Sequence, residues 1–146
     1  MAYEFKAIRR VEFSDTDMAG IMHYSNFFRF METAEHGFFR SLGFSIIGEV
    51  GWPRVRAQCD FHAPLRFEDE VEIHLLVSEK KSKALSYIFV FRRLTPGPLL
   101  EVARGSMTVV CVTHQNGKMT ACAIPPSIAN KIEAAPAELL QMRRSE

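Results

Sequence analysis

Two hydrophobic periods divide this chain. Between Phe27 and Leu42 apolar side chains recur at helical spacing. At about 100° per residue, Phe27, Phe30, Met31, Ala34, Phe38 and Leu42 share one broad face, with Arg29, Thr33, His36 and Arg40 opposite. The spacing predicts one long helix from about Tyr24 to Leu42, roughly 28 Å at 1.5 Å per residue, with Gly43 as its stop. Before it, Tyr3 to Phe13 alternate as a strand, placing Tyr3, Phe5, Val11 and Phe13 on one face.

After the Gly-rich connector Gly48 to Pro53 the period is two throughout. Val55, Ala57, Cys59 and Phe61 alternate with Arg54, Arg56, Gln58 and Asp60 until Pro64 breaks the run. Val71, Ile73, Leu75 and Val77 alternate with Glu70, Glu72 and His74, and the polar stretch Lys80 to Lys83 reads as a turn. Leu85, Tyr87, Phe89 and Phe91 then face Ala84, Ile88 and Val90 across one strand, which is expected to be buried on both sides. Pro96, Gly97 and Pro98 make the next turn, and Val102 to Thr113 reads as the last long strand. Asn116 and Gly117 suit a hairpin returning through Met119 to Ala123. Pro125 and Pro126 end the sheet, and Ser127 to Ala134, continued by Ala137 to Arg143, reads as a short C-terminal helix. One strand, one long helix and then a run of hairpin-joined strands predict an α+β class, with an antiparallel sheet wrapped around the helix in a single domain, residues 1–146.

Composition adds bounds. With 146 residues, 47% hydrophobic and 24% charged, the chain is long enough to bury a real core as a globular domain. A net charge of +1 gives no global pull toward nucleic acid or a membrane surface. The start, MAYEFKAIRR, lacks a signal-peptide apolar run, and no stretch reaches bilayer-spanning length. The three cysteines have no metal-like spacing and read as reduced thiols of a cytoplasmic protein. Twelve Phe imply a large aromatic core or an apolar pocket, and counting does not choose between them.

Candidate chemistry gathers just before the helix. Asp15 and Asp17 lie ahead of Gly20, where unpaired N–H groups at a helix start favour negative charge and can hold a developing oxyanion. A carboxylate aimed at a carbonyl carbon, with the carbonyl oxygen on such N–H groups, is the minimum for acyl transfer. A cap or Asx-turn role fits the same spacing. His23 and Tyr24 fall at the first turn, where His23 suits acid–base chemistry or a structural role. Glu32 and Glu35 sit at the border of the apolar stripe, facing either a cleft or solvent. Lys80, Lys81 and Lys83, with Arg92 and Arg93 across the expected hairpin, form the densest basic cluster. It suits phosphate contacts or a solvated hairpin end. The remaining histidines, His36, His62, His74 and His114, show no metal-ligand spacing.

The run DTDMAGIMHYSNFFRF, residues 15–30, resembles the 4-hydroxybenzoyl-CoA thioesterase family of hot-dog fold proteins, and the resemblance continues through PLRFED, residues 64–69, and AIPP, residues 123–126. It implies a sheet of about five or six strands around one helix, and hydrolysis of an acyl-CoA thioester. In that pattern the second Asp, here Asp17, is the catalytic carboxylate, as nucleophile or as general base on water. The backbone N–H near Tyr24 forms the oxyanion site, and Glu32 supports it. Coenzyme A is part of the substrate, so no separate cofactor or metal is implied, and Lys80, Lys81, Lys83 and Arg92 are candidate contacts for it. Family members are dimers or tetramers whose subunits jointly bound the active site. Members tied to the Tol-Pal envelope system usually carry His where Tyr24 stands and Arg where Glu35 stands. Tyr24, Asn26 and Arg29 are closer to the aromatic-acyl branch. Two rivals share the fold: a non-catalytic acyl-CoA binding module, and a hydratase, disfavoured because no Asp/His or His/Glu pair stands around the helix in the sequence.

Overall fold

Alternation builds the sheet as expected, and long-range pairing sets its order. A computed structural model describes residues 1–141. Strands β1 (Glu4–Arg10), β2 (Arg54–Phe61), β3 (Glu70–Lys80), β4 (Ala84–Thr95) and β5 (Leu100–Val110) form one sheet, ordered β1-β3-β4-β5-β2 with every pairing antiparallel. The helix α1 (Ser25–Ser41) lies on one face of this sheet, against β1, β3 and β2.

Its apolar stripe is the core. Phe30, Met31, Ala34 and Phe38 pack in one cluster with Ile73, Leu75 and Val77 of β3 and Leu85, Tyr87, Phe89 and Phe91 of β4. Full burial of a Phe or Met side chain contributes about 2 kcal/mol, so this layer dominates the stability of the fold. Two glycines set how close the helix comes. A Cβ on Gly105 would lie 2.1 Å from Met31 Cε and 2.9 Å from the Gln58 carbonyl, and one on Gly37 would lie 2.6 Å from the Phe5 ring. The helix stops where expected, at Gly43 with φ +92°, a conformation that glycine adopts without steric cost.

Four expectations change. The first strand ends at Arg10 instead of Phe13. Val11 leaves the ladder, exchanging backbone hydrogen bonds with Asp69 and Glu68, and a 3₁₀ turn at Phe13–Asp15 follows, closed by reciprocal Glu12 and Asp15 contacts that leave Phe13 exposed. The last long strand is broken at Cys111, whose N–H donates to the Lys83 carbonyl at 2.8 Å. Beyond the break, β6 (Val112–Gln115) and β7 (Lys118–Ala121) form a separate hairpin. The C-terminal helix is replaced by two single turns, α2 (Pro126–Ala129) and α3 (Ala137–Leu140), separated by Pro136. Residues 142–143 of the expected helix lie outside the described residues. Finally, β2 pairs only with β5. Its supposed inner residues Val55 and Phe61 are 62% and 48% exposed, because β2 is an edge strand that α1 barely covers. The strand expected to be buried on both faces, β4, has Val90 and Phe91 buried on opposite sides.

Candidate functional site

The loop between β1 and α1 is folded tightly enough to aim its side chains. Asp17 N–H donates to the Ile21 carbonyl at 3.0 Å, and the Asp17 carbonyl accepts from Gly20 N–H at 2.9 Å. Gly20, at φ +79°, makes this reversal without steric cost. Met22 N–H then donates to the Leu65 carbonyl at 2.7 Å, fastening the loop to the segment after β2. Within it, Asp17 Oδ1 accepts from Ala19 N–H at 2.8 Å, while Oδ2 has no hydrogen-bond partner among the described residues. The Asx-turn role and an available carboxylate oxygen are thus both properties of Asp17.

The helix start is capped in an unusual way. Asp15 contributes its backbone carbonyl, which accepts from His23 N–H and from Asn26 Nδ2, both at 2.8 Å. Asp15 Oδ2 caps the 3₁₀ turn through Glu12 N–H at 2.8 Å, so this carboxylate is structural. His23 Nδ1 accepts from Ser25 N–H at 3.3 Å and lies 2.7 Å from Ser25 Oγ, with its ring stacked on Tyr24. Met22, His23, Ser25, Asn26 and Phe27 all have acceptors for their backbone N–H groups; that of Tyr24 has none among the described residues. An unclaimed N–H at the positive end of a helix dipole is where an anionic oxygen is best held.

Asp17 and Tyr24 line a cavity of about 410 Å³. All but one of its other wall residues are apolar: Ile21 and Met22 of the loop, Phe27 of α1, and Phe61, Ala63 and Pro64 at and just after the end of β2. Phe27 meets Phe61 and Phe91 edge-on at 5.0 and 5.2 Å, so aromatic side chains both fill the core and line the cavity. The remaining wall residue, His62, was without a partner in sequence. Folding brings it to Glu101, with Nε2 3.2 Å from Oε2, and Glu101 Oε1 accepts from Arg104 Nη2 at 2.6 Å. Only chain topology pairs residues 62 and 101, and no local signal in the sequence marks them.

A family model described as the thioesterase-like superfamily matches residues 11–132. The chain belongs to the thioesterase-like superfamily. The 4-hydroxybenzoyl-CoA thioesterase of Pseudomonas sp. (strain CBS-3) is 26% identical over 133 residues, covering 86% of this chain and 94% of that protein. The solved structure of a gentisyl-coenzyme A thioesterase is 35% identical with TM-score 0.74, covering 84% of this chain and 98% of that one. The Dynemicin thioesterase structure, at 18% identity, covers 90% of this chain and 99% of its own with TM-score 0.81. The architecture is therefore the hot-dog fold expected from residues 15–30.

Other expected site residues of this superfamily member fall elsewhere. Glu32 is exposed on the solvent side of α1, in a separate polar depression with Arg9, Arg29 and Thr33, and it does not line the Asp17 cavity of its own chain. Glu35 is inside the core and ion-paired to Arg54, with burial pushing its carboxyl above the ordinary value and Arg54 pulling it back. The basic cluster does not exist as one patch. Lys80 pairs with Leu85 beside the β3–β4 turn and Arg92 with Glu72 far down the same ladder, so about 26 Å of strand separates Ala84 from Arg92. Lys80 Nζ donates to the Ala129 and Ile132 carbonyls at 2.7 and 2.8 Å, capping α2, and Lys81 pairs with Glu79 at 3.4 Å. Lys83 is exposed at the same turn. Arg92 is held by Glu72 at 3.0 Å, beside His74 on the sheet face away from α1, where burial lowers the pKa of the imidazole. The lysines lie at the end of the sheet remote from the Phe27–Phe91 contact that marks the cavity.

Proposed function

We propose that the protein hydrolyses an acyl-CoA thioester whose acyl group is a hydroxylated aromatic one, at the cavity headed by Asp17. The observation that carries this reading is the juxtaposition of a carboxylate with an unclaimed oxygen and the unclaimed N–H of Tyr24 on one apolar cavity. The thioester carbonyl oxygen would accept from Tyr24 N–H, where the helix dipole favours the charge that develops during attack. Asp17 would then act in one of two ways. As nucleophile, its Oδ2 bonds to the carbonyl carbon, the C–S bond breaks and CoA leaves as thiolate; water then cleaves the resulting anhydride. As general base, it removes a proton from the attacking water. The aromatic preference is supported by the Phe27 and Phe61 walls, and by the names of the relatives, which act on 4-hydroxybenzoyl-CoA and gentisyl-CoA.

The test is thiol release from benzoyl, 4-hydroxybenzoyl, and short and long aliphatic CoA esters, on wild type and Asp17→Asn. Aromatic esters should be cleaved fastest, and Asp17→Asn should lose at least about a hundredfold in kcat with its fold intact. Wild-type turnover by the mutant would remove Asp17 from the mechanism. Binding without any release, with affinity unchanged in Asp17→Asn, would favour the acyl-CoA binding module instead.

The same reading makes the protein a cytoplasmic homo-oligomer, where acyl-CoA is its partner. No helix among the described residues is long and apolar enough to cross a membrane. The outer edge of β2 is unpaired among the described residues, and Phe61 at the end of that strand is a cavity wall, so a second copy docking along β2 would complete the site.

A further inference from the structure

The polar atoms of the cavity are not all accounted for by attack on a thioester. Asp17 and Tyr24 come from the loop and the start of α1, whereas His62 comes from the end of β2. The His62 side chain is 15% exposed, and behind it stands Glu101, only 4% exposed, which also accepts from Arg104. A buried carboxylate flanked by a guanidinium is an acceptor only, so the ring proton is held at Nε2, facing Oε2. In the neutral ring that leaves Nδ1 as the second polar atom, a lone-pair acceptor with no partner among the described residues. In an otherwise apolar wall, a fixed acceptor of this kind orients a ligand that brings a donor.

We propose that His62, oriented by Glu101, is the specificity-determining residue that accepts a hydrogen bond from a hydroxyl on the acyl group. This deepens the thioesterase reading above and rests on its placing the acyl group in this cavity. His62 touches the substrate, and Glu101 acts through His62 as a positioning residue. An acyl group without the hydroxyl leaves Nδ1 without a donor and displaces whatever water serves it, so discrimination runs against the unsubstituted ring.

The experiment separates binding from turnover. Calorimetric titration of Asp17→Asn with benzoyl-CoA and with its 3- and 4-hydroxy derivatives should give a Kd ratio of about tenfold in favour of at least one hydroxylated ester. Adding His62→Leu, which removes the acceptor and fills its place with an apolar side chain of similar size, should bring that ratio to near one. His62→Gln, which retains an acceptor, should keep part of it, and Glu101→Gln, which frees the ring tautomer, should lower it. Circular dichroism melting checks that each variant is folded. No preference in the starting protein, or a preference that survives His62→Leu, overturns the inference. Discrimination that follows His62 without thiol release in the wild type would leave the inference standing and remove the hydrolase. Thiol release with no dependence of the kcat/KM ratio on His62 would do the reverse.

Discussion

Glu35 and Arg54 show what a single core charge demands. None of the Glu35 side chain is exposed, and one of its oxygens pairs with Arg54 Nη2, while Arg54 Nη1 donates to the Trp52 carbonyl at 2.8 Å. Removing one partner of a buried pair leaves the other charge uncompensated, so Arg54→Ala should lower unfolding free energy by about 3 kcal/mol at neutral pH. The pH dependence has a definite sign. Burial, the largest influence, raises the Glu35 carboxyl above its ordinary 4.5, and Arg54 opposes that rise. With Arg54 gone the folded state holds the proton more tightly still. The Glu35 contribution to the variant's stability should therefore be fully present below pH 4.5 and be lost as pH climbs through the raised value, so the deficit against wild type widens from pH 5 to pH 8. Urea unfolding at both values measures this, and an equal deficit at both would mean that Arg54 does not alter the protonation of Glu35 in that range. Helical spacing put Glu35 at the border of the apolar stripe, but the residue that pairs with it there, Arg54, comes from a different segment. Asp17 is the opposite case. Its position before Gly20 and the helix was legible, because a loop of this length is governed by local hydrogen bonds.

At the scale of elements, spacing alone located α1 to within one residue at each end, since a wide apolar face and a following glycine are local signals. Its seat on the sheet depends on Gly105, whose place opposite Met31 is a product of register. Gly105→Ala should destabilise by about 1–3 kcal/mol, because Met31 can swing away but the Gln58 carbonyl, 2.9 Å from the added Cβ, cannot. A urea midpoint equal to wild type would show that β2 shifts freely instead. The break between β5 and β6 was illegible for a related reason. Val102 to Thr113 is rich in Val and Thr on both sides of the break, and what ends the strand is the diversion of Cys111 N–H to Lys83, a residue that local pattern cannot see. The basic cluster failed through register too. Residues 80–83 and 92–93 are near in sequence, yet on a long hairpin they sit at opposite ends of the ladder.

For the whole molecule, the sheet ends in a strand whose two faces and outer edge are largely open. Val55 and Phe61 are exposed, and the backbone edge of β2 has no neighbour among the described residues. An open apolar edge of this kind is usually covered. Sedimentation equilibrium should therefore give a mass that is a multiple of 16.6 kDa, and Val55→Lys on the exposed face should shift it toward one copy. A wild-type mass of one copy at micromolar concentration would leave the cavity to a single chain. The sequence by itself determined the α+β class, the long helix, the antiparallel strands and the position of Asp17 at the helix entrance. These follow from short-range periodicity, glycine conformations and the needs of a helix N-terminus, all written within a few residues of each other. Only the tertiary structure decided that Tyr24 keeps an N–H unclaimed among the described residues, that Glu35 is buried, that Glu32 and the lysines stand away from the cavity of their own chain, and that His62 meets Glu101. Each of these depends on which distant strand lies alongside, and that is set by the packing of the whole sheet on α1.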